Sequence, residues 1–177
     1  MKGKKLDPTD VLGRGFIFPN TDEHKSEQET IFRRLGFKVG GIGLLIAENT
    51  VSELIDISKI CAIPNTANWL QGIVNLRGNL IPVFELTTLL TLELSEEKKC
   101  MLLVLGQGES AAALPIIELP SHQRFQEADK MTSLPALPDA IAPYISTGYE
   151  RDDEIWFNFE HEAFFESLAE RIASYAL

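Results

Sequence analysis

Apolar positions along this chain fall into short blocks separated by polar or glycine-containing breaks, and the last block has helical spacing. Phe32–Val39 and Ile42–Ala47 flank Gly40-Gly41, a pattern that predicts a β-hairpin with a glycine turn. Glu48–Leu54 is ambiguous between one helical turn and the approach to a strand running through Ile57. Gly72–Leu76 and Leu80–Leu86 flank the polar insert Arg77-Gly78-Asn79 and predict a second hairpin. Gly78 can take a positive φ at no steric cost, and Asn79 tolerates one. The two-residue period of a strand puts Ile73, Asn75 and Arg77 on one face and Val74 and Leu76 on the other. Pro82 has no N–H, which points to an edge or bulged strand.

The remaining blocks continue the theme. Pro64 and Asn65 end a strand, Asn65 or Thr66 is placed to cap a short helical turn, and Trp69 is expected to point inward. The leucines of Thr87–Leu94 predict a short helix or turn. Ser95–Lys99 is a charged loop and the expected boundary between two lobes. Cys100–Leu105 is a continuous apolar run, expected to be a strand buried on both faces. Ser110–Leu119 returns it, interrupted by Pro115, and residues 120–138 are expected to be loop. Tyr144–Tyr149 and Ile155–Phe159 form strands around an acidic turn. Glu160–Tyr175 predicts an amphipathic helix, with Phe164, Phe165, Leu168, Ile172 and Tyr175 at helical spacing. Residues 1–30 are an extension whose apolar cluster is Phe16-Ile17-Phe18, either a tail or an anchored segment. Many short strands at regular spacing give a mainly β class, a barrel or sandwich, closed by one helix.

Charge narrows the function. The formal net charge is −10, with a pI near 4.8, which argues against a nucleic-acid binder. The negative charge concentrates in residues 150–170, a solvated acidic face or a docking surface. No apolar run reaches the length of a membrane span, and the basic N-terminus has no apolar region of the signal-peptide kind, so a cytoplasmic protein without membrane insertion is expected. Cys61 and Cys100 lie far apart beside apolar residues, and buried free thiols are expected. His24, His122 and His161 read as surface residues without metal-ligand spacing, and Ser110 and Ser121 lack a nucleophile-elbow context. The acids of Glu150–Glu154 are not in the order of a calcium loop, which leaves an acidic-loop enzyme as a weak rival. The expectation is no enzyme, no cofactor and no metal.

The string Gly72–Leu86, GIVNLRGNLIPVFEL, resembles the signature hairpin of the CheW-like family of chemosensory scaffolds. Gly72, Asn75, Leu76, Arg77, Gly78, Pro82, Val83 and Leu86 match that pattern in order, Ile73 replaces Val, and Glu85 replaces the usual Asp. Val51-Ser52-Glu53-Leu54 resembles the family's V-x-E segment, and Ile63–Leu70 its approach to the hairpin. The second lobe departs from the family: Ala112–Ile117 replaces its usual G-L-x-V-D-x-V string. The resemblance implies two small SH3-like five-stranded β-barrel lobes sharing a core, roughly 31–95 and 98–160, with a C-terminal helix over 160–175. It also implies that Glu53 pairs with Arg77. The partner-binding surface it implies comprises Val51, Glu53, Gly72, Asn75, Arg77 and Gly78, with Gly72 bare so that a partner can come close. The implied partners are the cytoplasmic tip of a methyl-accepting chemoreceptor and the regulatory domain of a CheA-type histidine kinase. The stretch Gly36–Gly41 and the N-terminal extension look more like the adaptors of type IV pilus (twitching) systems than like flagellar ones. A β-barrel module binding a small molecule in a polar-lined cavity between the lobes is the alternative.

Overall fold

The computed structural model describes residues 31–57, 60–93 and 101–175. Ten strands and two α-helices follow in order: β1 (Phe32–Val39), β2 (Ile42–Ile46), β3 (Ser52–Asp56), β4 (Leu70–Leu76), β5 (Asn79–Phe84), α1 (Leu86–Leu89), β6 (Met101–Leu105), β7 (Ala112–Ile116), β8 (Ser121–Phe125), β9 (Ile145–Arg151), β10 (Glu154–Phe159) and α2 (His161–Tyr175). They form two five-stranded sheets, β8-β1-β2-β10-β9 and β3-β6-β7-β5-β4, each curled into a small SH3-like barrel.

The strands do not divide between the sheets at residues 95–98, as contiguous lobes would require. β1 and β2 join the C-terminal strands: Trp156–Phe159 pairs in parallel with Gly43–Ile46. The chain therefore starts one barrel, builds the other from β3 to β7, and returns to finish the first. Hydrophobic periodicity marks strands but carries no record of such distant partners.

Three apolar clusters result. Phe32, Leu45, Phe125, Tyr149 and Trp156 fill the first barrel. Val74, Ile81, Val83, Leu102, Val104, Ala111 and Ala113 fill the second. The largest cluster joins them and includes Phe37, Leu44, Leu103, Leu105, Leu114, Phe159 and the helix residues Phe164, Phe165 and Leu168. β6 shows why its run is unbroken: Leu102 and Val104 face the barrel interior while Leu103 and Leu105 face the shared core. α2 closes that core, as its spacing predicts, and Trp69 points inward at 5% exposure.

Several expectations are corrected. β8, within the stretch expected to be loop, is a strand on a polar edge paired with β1 over Phe32–Gly36, and of its side chains only Phe125 is buried. No helical turn follows Asn65, whose φ is +60°; Thr66 instead donates its hydroxyl to the Ile63 carbonyl. Glu48-Asn49 is a turn, not a helix. β5 is not an edge, lying between β7 and β4. Ile73, opposite Pro82, turns its N–H and C=O to Cys61, so the Ile73–Pro82 pair is a non-hydrogen-bonded one. The absent Pro82 N–H therefore falls on the β7 side, where pairing is limited to Val83 with Ala113. Cys61 is exposed, because its segment binds β4 through backbone and turns the thiol outward. His161 is buried at 2% exposure against Phe159 and Phe165. Cys100, His24 and the Ser95–Lys99 loop lie outside the described residues.

Candidate functional site: the clasp at the barrel mouth

β4 and β5 meet in a two-residue turn, with Leu76 opposite Asn79. Both turn residues have positive φ, +53° at Arg77 and +89° at Gly78. This is the mirror-image turn that matches strand twist. Arg77, and not Asn79, takes the left-handed position next to Gly78. The Asn75 carboxamide oxygen accepts the Gly78 N–H at 2.9 Å and holds the turn.

The turn delivers Arg77 to β3. Its Nη2 donates to Glu53 Oε1 at 2.9 Å, as the resemblance implied. β3 and β4 are the two end strands of their sheet, so this pair clasps the seam of the second barrel. Glu53 shares its strand face with Ile55, which packs on the barrel interior, and stands at the end of that row. Arg77 lies over a small cavity of about 260 Å³ at the barrel mouth. Val51 and Glu53 line it on one side, Leu76 and Ile81 on another, and the Gly106–Gly108 turn on a third. Val51 is 49% exposed there, and its carbonyl accepts the Gly106 N–H.

The clasp does not act chiefly as a stabilising element. The Arg77 side chain is 76% exposed and that of Glu53 32%, and such a pair contributes about 0–1 kcal/mol.

The six expected residues separate into two groups. Val51, Glu53 and Arg77 share the mouth. Gly72, Asn75 and Gly78 lie outside its lining. Gly72 is buried with φ of +147°, and a Cβ there would overlap the Cys61 carbonyl. The close approach that needs a bare glycine is thus made by the chain's own Ile60–Ala62 segment. Glu85, which stands where the family usually has Asp, is 6% exposed and has a capping role that the hairpin pattern does not reveal. Its carboxylate caps α1 by accepting the Thr87 N–H and hydroxyl, and it also accepts from the Gln71 amide. Its place just before a short apolar helix was the available signal.

Among the described residues no group of three or more His, Cys, Asp or Glu side chains is arranged to hold a metal ion. No described helix is long and apolar enough to cross a membrane.

Two SH3-like barrels share one core, with an arginine clasp held out on a hairpin tip. The chain belongs to the CheW-like domain family, whose model matches residues 33–169. It is 28% identical over 141 residues to Protein PilI of Pseudomonas aeruginosa, spanning 78% of this chain and 79% of that one. It is 29% identical over 73 residues to chemotaxis protein CheW of Thermotoga maritima, covering 41% of this chain and 48% of the relative. Among solved structures, the scaffolding protein TtCheW from Thermoanaerobacter tengcongensis superposes with a TM-score of 0.59. That match covers 73% of this chain and 89% of the other at 18% identity, a likeness of fold.

Proposed function

We propose that this chain is a non-enzymatic, cytoplasmic scaffold adaptor that couples the cytoplasmic tip of a methyl-accepting chemoreceptor to the regulatory domain of a CheA-type histidine kinase. Membership of the CheW-like family and similarity to proteins named for chemotaxis and scaffolding support this reading. The PilI relative and the stretch Gly36–Gly41 favour a type IV pilus (twitching) system.

The observation that carries the proposal is the energetic oddity of Arg77. A non-glycine residue in the left-handed region costs on the order of 1 kcal/mol or more, and the position favours Asn or Gly. The exposed pair with Glu53 returns about as little. Neither the turn nor stability accounts for an arginine there, whereas a surface shaped for a partner does. Val51, Glu53 and Arg77 are the contact residues, an apolar patch beside a fixed guanidinium suited to a helix with an apolar stripe. Gly72, Asn75 and Gly78 serve that surface by shaping the hairpin.

The test is binding of the purified kinase regulatory domain and receptor fragment from the same cell. Arg77→Glu places two carboxylates together at the clasp and should weaken capture about tenfold or more, with the thermal transition unchanged. Full-strength binding by that folded variant would overturn the proposal. The small-molecule reading is less well supported: Phe and Leu side chains fill the space between the sheets.

A further inference from the structure

A groove of about 610 Å³ runs between α2 and the second barrel. Its lining is largely apolar: Pro82, Ala163 and Ala169 reach the surface around the Phe84 and Phe165 rings, which lie 5.9 Å apart and are themselves buried. Three carboxylates, Glu109, Glu162 and Glu166, stand along it, and among the described residues no lysine or arginine lines it. Among the described residues none of the three is in an ion pair with a Lys or Arg. The occupant that fits such a groove is apolar and cationic.

The chain carries one. Residues 1–18 hold Lys2, Lys4, Lys5 and Arg14 against only Asp7 and Asp10, and end in Phe16-Ile17-Phe18. This is a basic, apolar segment on an otherwise acidic protein. The thirteen residue-to-residue steps from Phe18 to Ile31 span up to about 45 Å when extended. A domain of this size has a radius of gyration of about 15 Å, so the extended segment can reach most of its surface. We propose that residues 1–18 dock in this groove, with Phe16–Phe18 against Pro82, Ala163 and Ala169 and the basic side chains facing Glu109, Glu162 and Glu166. The groove is then occupied in cis, and any external ligand of like chemistry must displace the segment.

Photocrosslinking of the full chain with p-benzoylphenylalanine at position 16 tests this. The expected product is an internal crosslink, at monomer mass, to the peptides holding Phe84 or Ala163–Ala169. Glu162→Lys with Glu166→Lys should reduce its yield about threefold or more, as should raised salt. Adding Lys4→Glu and Lys5→Glu to that variant should restore part of the yield, which a merely misfolded groove would not do. Crosslinks between two copies, to another protein or to other faces of the domain would overturn the proposal. So would a parent yield indifferent to both salt and charge reversal.

Discussion

At the scale of single residues, Gly72 and Arg77 sit five positions apart on one hairpin and differ in what a substitution should do. Any side chain at Gly72 meets the Cys61 backbone at a φ of +147°, so Gly72→Ala should destabilise by about 2–4 kcal/mol. Arg77→Asn exchanges a disfavoured turn residue for a favoured one and loses only an exposed pair. It should change stability by less than about 1 kcal/mol while losing partner capture. Urea denaturation of both variants checks the contrast, and a large loss of stability in Arg77→Asn would show that the clasp is structural. His161 gives a third residue-level expectation. Burial pushes its imidazole below the ordinary value of 6.5, opposed by the Glu162 and Glu160 charges and the Phe159 backbone. The unfolded chain therefore takes up the proton more readily, and His161 removes stability as the pH falls from about 7 through 6.5 toward its folded value. His161→Leu should be flatter than the parent over that window in paired denaturation curves; parallel curves would refute the assignment.

At the scale of elements, α1 shows how a short helix is started and stopped. Glu85 supplies its cap from a buried position, and Leu90 receives the last turn. Removing the cap leaves the Thr87 N–H without that acceptor, so Glu85→Ala should cost about 1–3 kcal/mol, and Glu85→Gln, which keeps an oxygen there, distinctly less. Equal losses in thermal denaturation would mean that the charge, and not the cap, matters. α2 was legible in advance because Phe164, Phe165 and Leu168 repeat at helical spacing and all three are buried. β8 was not, because an edge strand with one buried side chain draws its order from β1 through backbone pairing, which leaves no apolar period to read.

At the scale of the whole molecule, one core shared by the two barrels predicts that they unfold as one cooperative unit. Two buried tryptophans serve as reporters: Trp156 inside the first barrel, and Trp69 against Phe84 in the shared core. The single-tryptophan variants Trp69→Phe and Trp156→Phe should unfold in denaturant with a common midpoint relative to their own circular-dichroism transitions. Leu114→Ala, at a fully buried site of the shared core, should move both fluorescence transitions together by about 2–5 kcal/mol. Separate transitions would show lobes that fold independently.

What the sequence determined by itself was local. The hairpin tip at Arg77-Gly78, the doubly buried β6 and the terminal helix are each written in a period or a turn pair within a few residues of one another. Family resemblance added the pairing of Glu53 with Arg77. The tertiary structure alone decided which strands share a barrel, that Gly72 is bare for Cys61, and that His161 is inside. Each of those depends on segments distant in the chain meeting in space, and no local pattern of apolar and polar residues encodes which distant partner a strand edge or a bare glycine will meet.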